Sequence, residues 1–226
     1  MKTLLITRNL TENSPINTLN SDTLHVIGES FIAFEQIDFD NWDYEADMVV
    51  FYSQRGVEYG LANEGFMTFC IGKTLVTFGS ATADYLTEKH GLIADIIGNG
   101  DPQDLLKDII TANPEHVLFV QGDKSLRRLQ TDQKWTLSFS ELVAYQSNDR
   151  IVGVAEDADI VVFTSPLNVL HYCSQYPLKE TQTVWAIGPT TAASLDPYYS
   201  GQIFTPPTPT EASLTTEIRR SISTNM

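Results

Sequence analysis

Hydroxyl and glycine residues recur at four points of the sequence, each directly after a short apolar run. Tyr52-Ser53-Gln54-Arg55 follows Met48–Phe51, and Thr164-Ser165-Pro166 follows Ile160–Phe163. Gly79-Ser80-Ala81-Thr82 follows Leu75–Phe78, and Gly188-Pro189-Thr190-Thr191 follows Val184–Ile187. A strand that ends in such a turn and leads into a helix presents backbone N–H groups and hydroxyls, the donors that hold anions. One exposed helix start favours a carboxylate by about 0.3–1 kcal/mol. Singly, each Ser or Thr reads equally well as a helix N-cap. As a set, four equivalent turns point to a cleft for an anionic ligand.

Other chemistries lack their residues. Gly98-Asn99-Gly100 has neither the third glycine nor the strand-to-helix context of a dinucleotide loop, and no phosphate-binding P-loop occurs. His25, His90, His116 and His171 are scattered without metal-ligand spacing. The acidic run Asp38, Asp40, Asp43, Glu45, Asp47 reads as a solvated connection. No Gly-x-Ser-x-Gly elbow is present, which argues against a hydrolase of that class. Cys173 falls on an expected helix and reads as a packed residue. No metal site is expected.

The elements that would position the four turns repeat. Ala46-Asp47-Met48-Val49-Val50-Phe51-Tyr52-Ser53 reads almost like Ala158-Asp159-Ile160-Val161-Val162-Phe163-Thr164-Ser165. Phe78-Gly79-Ser80-Ala81-Thr82 likewise matches Ile187-Gly188-Pro189-Thr190-Thr191, and Leu4–Thr7 echoes Val117–Val120. The period is near half the chain, so the repeat is one α/β unit present twice, not a solenoid. The runs at Leu4–Thr7, Met48–Phe51, Leu75–Phe78, Val117–Val120, Ile160–Phe163 and Val184–Ile187 are rich in β-branched residues. They suit parallel strands buried on both faces. Pro102–Ala112 places Leu105, Leu106, Ile109 and Ile110 at helical spacing, with Asp101 as N-cap and Pro102 in the first turn. Thr210–Ile218 repeats that arrangement. The expected fold is α/β, with doubly wound, flavodoxin-like parallel sheets arising from an internal duplication.

Bulk properties narrow the partners. The 226 residues carry a formal charge of −15, which argues against a nucleic-acid binder that needs a basic face. An anionic ligand would then be held by local donors, against unfavourable long-range steering. No run approaches the roughly 18 apolar residues of a membrane span, and no signal-peptide core is present. Two cysteines, Cys70 and Cys173, form no Cys-x-x-Cys pair. These features predict a reduced, soluble, cytoplasmic protein.

Several segments resemble uroporphyrinogen-III synthases. The likeness lies in Leu4-Leu5-Ile6-Thr7-Arg8, Val50-Phe51-Tyr52-Ser53-Gln54-Arg55-Gly56-Val57, Gly79-Ser80-Ala81-Thr82-Ala83 and Val117-Leu118-Phe119-Val120-Gln121-Gly122. It continues through Val143-Ala144-Tyr145-Gln146, Val162-Phe163-Thr164-Ser165-Pro166, Ile187-Gly188-Pro189-Thr190-Thr191-Ala192 and Pro209-Thr210-Glu211-Ala212. The resemblance implies two lobes joined by a two-stranded linker: residues 1–34 with 147–226 as one lobe, 38–140 as the other, and 35–37 with 141–146 as linker strands. Such a linker predicts hinge motion.

The implied reaction closes hydroxymethylbilane into uroporphyrinogen III. Loss of the hydroxyl gives a cationic azafulvene; ring D attacks through its substituted carbon, forms a spiro intermediate and is reattached inverted. The resemblance assigns proton donation to Tyr145, a residue type whose hydroxyl can act as a general acid. It assigns the carboxylates of the substrate to Ser53, Arg55, Ser80, Thr82, Ser165, Pro166, Gly188, Thr190 and Thr191, with Arg8, Gly122 and Lys124 near the same cleft. Holding an octacarboxylate with many donors implies that no one side chain is indispensable. The family implies no metal or cofactor and a monomer, with hydroxymethylbilane synthase as the source of substrate. The alternative is a non-catalytic two-lobed ligand-binding or sensor protein of the same fold.

Overall fold

The computed structural model of the chain describes residues 1–153 and 157–224. In chain order they form β1 (Lys2–Ile6), β2 (Leu24–Gly28), β3 (Ile32–Gln36), β4 (Met48–Phe51), α1 (Gln54–Leu61), α2 (Glu64–Cys70), β5 (Thr74–Thr77), α3 (Ser80–His90) and β6 (Ile96–Ile97). There follow α4 (Pro102–Ala112), β7 (His116–Gly122), β8 (Ser138–Asp149), β9 (Ile160–Phe163), α5 (Pro166–Cys173), β10 (Thr183–Ala186), α6 (Pro189–Ala193), β11 (Ile203–Phe204) and α7 (Glu211–Thr224). Two compact units result: a terminal unit, Met1–Ala33 with Asn148–Met226, and a central unit, Phe34–Ser147. The boundaries fall inside β3 and β8.

The terminal sheet has the order β11-β10-β9-β1-β2, and each neighbouring pair is parallel. The central sheet runs β3-β8-β7-β4-β5-β6, parallel from β8 through to β6. Mixed α/β architecture around parallel sheets follows from central strands, β4 and β9 above all, that are apolar at every position. In β4, Val49 and Phe51 face Val57, Leu61 and Leu86, whereas Met48 and Val50 face Leu105, Leu106 and Ile109. In β1, Leu4 and Ile6 pack with Leu214 and Ile218, and Leu5 with Val169 and Tyr172. Each such side chain taken out of water contributes about 1.5–3 kcal/mol before entropy is charged against it.

The repeated Ala-Asp has a structural reason. The N–H of Asp47 donates to the carbonyl of His116, while its carboxylate accepts the N–H groups of Glu115 and His116 at 3.0 and 2.9 Å. Asp159 does the same one unit away: its N–H donates to the carbonyl of Thr3, and its Oδ2 accepts the N–H of Thr3 at 2.7 Å. Each aspartate thus fastens the start of its strand to the neighbouring strand. Asp43 also departs from the solvated reading of the acidic run, since its Oδ2 lies 2.9 Å from Nε2 of His116. Helix α4 begins as its sequence dictates: Asp101 Oδ1 accepts the N–H of Gln103 at 2.7 Å and that of Asp104 at 3.2 Å.

Candidate functional site

In the central unit the polar turns sit where β4, β5 and β7 end. Ser53 caps α1 from an extended backbone, with its Oγ accepting the N–H of Gly56 at 3.2 Å. A serine hydroxyl that accepts one bond still has its own proton to give. That Oγ lies 3.3 Å from the hydroxyl of Tyr145, so two residues 92 positions apart in sequence meet.

Two backbone features aim Tyr145. Gln121 pairs with Val143 but Gly122 pairs with Tyr145, so Ala144 is one extra residue in β8. Strict alternation would send Tyr145 to the face opposite Leu142 and Ala144. The bulge cancels that flip, and all three pack on the same core cluster. Gly122 then supplies the space: a Cβ there would come within 2.5 Å of the Tyr145 ring. The ring is also held edge-on by Phe34 at 5.9 Å between centroids and flanked by Tyr59 at 5.4 Å. Arg55, exposed, places its guanidinium 3.8 Å from the centre of the Phe34 ring, which leaves its N–H fork available.

The neighbouring turn is tied to this one, because Nε2 of Gln54 donates to the carbonyl of Ala81 at 2.9 Å. Gly79 occupies the N-cap of α3 and offers no side chain to the first-turn N–H groups. Ser80 is exposed there, whereas Thr82 is buried. Lys124 is exposed, 3.6 Å from the carboxylate of Asp123.

The terminal unit repeats the geometry. Ser165 caps α5 with φ −160° and ψ 159°, against −159° and 163° at Ser53, and accepts the N–H of Asn168 at 3.2 Å. Pro166 fills the first turn, and Thr164 Oγ1 accepts from Asn168 Nδ2 at 2.8 Å. Gly188 is the side-chain-free cap of α6, close enough to Pro209 that a Cβ would lie 3.0 Å from it. Thr190 is exposed and Thr191 buried. Arg8 is ion-paired with Glu211 and also reaches the carbonyl of Asn9 at 2.8 Å, so its charge is already matched within the protein. Burial holds the Arg8 guanidinium below its usual pKa.

The structure therefore gathers Ser53, Gly122 and Tyr145 directly, with Arg55 linked through Phe34. Ser80 and Thr82 sit on the adjoining turn; Ser165, Pro166, Gly188, Thr190 and Thr191 occupy matching turns of the other unit. Phe34 and Tyr59 are additions that the sequence does not single out. Tyr59 lies on the helix that Ser53 caps, six positions on, which is the available signal. Among the described residues no cluster of three or more His, Cys, Asp or Glu side chains is arranged to hold a metal ion.

These features define a parallel-sheet α/β protein whose hydroxyl-bearing turns follow the strands, one of them beside a seated phenol. The chain belongs to the uroporphyrinogen-III synthase family, whose description "Uroporphyrinogen-III synthase HemD" matches residues 25–216. Its fold is similar to that of uroporphyrinogen-III synthetase from Helicobacter pylori 26695, with a TM-score of 0.68 at 15% identity, covering 98% of this chain and 100% of that one. A mutant uroporphyrinogen III synthase from the extremely thermophilic bacterium Thermus thermophilus gives 0.62 at 16% identity, over 99% and 100% of the two chains. No curated protein sequence matches the chain. Membership assigns an activity: closure of hydroxymethylbilane to uroporphyrinogen III, with inversion of ring D and loss of water, a cyclising hydro-lyase step of haem biosynthesis. No helix among the described residues is long and apolar enough to cross a membrane.

Proposed function

We propose that Tyr145 is the proton donor of this closure and that the hydroxyl turns hold the carboxylates of the substrate. The observation that carries the reading is the 3.3 Å approach of the Tyr145 hydroxyl to Ser53 Oγ above Gly122. In the proposed step the phenol gives its proton to the hydroxymethyl oxygen, the C–O bond breaks, and water departs to leave a cationic azafulvene. Ser53 accepts the Gly56 N–H and donates its own proton toward the phenolate, so the developing negative charge is met by a donor already in place. After ring D has attacked, been released and reattached, the pyrrole carbon that formed the last bond gives up its proton, which restores the phenol.

Substrate carboxylates fall to Arg55, Ser80 and Thr82 in the central unit. The corresponding groups of the terminal unit are Ser165, Pro166, Gly188, Thr190 and Thr191. Lys124 adds a point charge. Arg8 is assigned the lesser role of bracing the end of β1 through Glu211. The two units are read as copies of one flavodoxin-like unit. Supporting this, the strand order β6-β5-β4-β7-β8 corresponds to β11-β10-β9-β1-β2 position by position, with Asp47 and Asp159 in equivalent places. Residues 35–37 and 141–146 serve as the linker between lobes 1–34 with 147–226 and 38–140. The chain acts as a cytoplasmic monomer and takes its unstable substrate from hydroxymethylbilane synthase.

Tyr145→Phe tests the donor role. General acids contribute about 10²–10⁴-fold in rate; with water able to substitute in part, isomer III formation should slow about tenfold to a hundredfold. Binding of the tetrapyrrole should be retained. An unchanged rate in the folded variant would remove Tyr145 from the chemistry.

A further inference from the structure

A buried polar network in the central unit is left unused by the chemistry of Tyr145. The hydroxyl of Tyr52, at the end of β4, accepts the N–H of Leu129 at 3.0 Å and donates to Oε1 of Gln130. Gln130 Nε2 then reaches Gln121 Oε1 at 3.3 Å and Glu141 Oε1 at 3.2 Å. Gln121 is fully buried, and its Nε2 has no partner among the described residues. An unsatisfied buried donor costs about 1–3 kcal/mol. Arg127 adds backbone strain, with φ at 50°, and is pinned there by Nε contacts of 3.0 Å to both carboxylate oxygens of Glu141. A segment that carries these costs and is still tied down on several sides is specified for where it puts its side chains.

What it presents is positive charge. Lys124, Arg127 and Arg128 fall within five positions of a chain whose net charge is −15. Arg127 is neutralised by Glu141 and Lys124 lies 3.6 Å from the Asp123 carboxylate, whereas Arg128 is exposed. Arg128 has no hydrogen-bond or ion-pair partner among the described residues. The loop springs from the seat of Tyr145, since the N–H of Asp123 donates to the Tyr145 carbonyl at 3.0 Å. A guanidinium can take a carboxylate through two parallel N–H bonds, and an ammonium nearby adds a point charge.

We infer that Arg128, with Lys124, forms a carboxylate-binding subsite for the tetrapyrrole, and that Tyr52 is its positioning residue through Leu129 and Gln130. The inference rests on the proposed site at Tyr145 and names a binding group beyond it. The full chain is titrated with uroporphyrin III, the oxidised octacarboxylate, by fluorescence quenching, beside the isomer assay. Arg128→Gln should weaken binding about fivefold at low salt, the scale of an exposed charge pair, and the loss should shrink as salt rises. Lys89→Gln, the same charge change near the far end of α3, should leave binding as it is. In a Tyr52→Phe background, which keeps the ring, Arg128→Gln should cost less than it does alone. If the parent forms isomer III yet Arg128→Gln binds like Lys89→Gln, the subsite is wrong and the Tyr145 reading stands. If the parent yields isomer I alone, the catalytic reading falls; the subsite falls with it only if Arg128→Gln also binds uroporphyrin III like Lys89→Gln.

Discussion

The role proposed for Tyr145 depends on how its ring is aimed, and the aiming lies in residues that carry no functional group. Gly122 leaves the ring its place, since a Cβ would meet it at 2.5 Å. Gly122→Ala is therefore expected to displace the phenol from Ser53 and to lower turnover about tenfold or more, the penalty typical of a mispositioned catalytic group. Affinity for uroporphyrin III should change much less; equal losses in turnover and binding would show that Gly122 acts on the substrate itself. Ser53 serves twice, as helix cap and as partner of Tyr145. Its identity was legible in sequence because a strand followed by Ser and an amphipathic stretch is a recognisable start. The contact with Tyr145 was not, because it joins residues 92 positions apart.

At the scale of elements, the aspartates that fasten strand to strand decide how firmly the turns are held. Burial opposes ionisation of Asp47, yet the N–H groups of His116 and Glu115 outweigh it and hold the carboxyl below its usual range. A carboxyl with a depressed folded pKa stabilises the fold above the unfolded value of about 3.9, and that stabilisation is lost as pH falls through the folded value. Asp47→Asn should thus lower the unfolding midpoint near neutral pH, with the gap to the parent closing below about pH 4. A gap that is constant with pH would mean that the carboxylate charge is not what holds the strands. Strands β4 and β9 and helix α4 were legible because apolar runs and an Asp-Pro start act locally. Strand β2 carries no such signal, since His25 interrupts its apolar run and lies on the exposed side. The bulge at Ala144 was invisible for a different reason. It exists only relative to the register of β7, and a single strand does not announce its register.

Across the whole molecule, the near-half-chain repeat is visible in the sequence, but how the chain is assembled into its two compact units needed tertiary contacts. Strand β1 pairs with β9, more than 150 positions away, so the terminal unit is completed by the two ends of the chain. The charge of −15 means that an octacarboxylate would approach against the protein's average field, so the proposed site leaves its holding to local donors. Inverted closure of ring D is the activity that family membership assigns to this fold. The most direct measurement supplies hydroxymethylbilane generated in place, oxidises the products and separates isomers I and III. Isomer I is what unassisted closure gives, so a dominant isomer III whose share rises with the amount of protein is expected. Isomer I in the amount formed without protein, from a folded chain that still binds the tetrapyrrole, would contradict it and leave a binding protein in place of an enzyme.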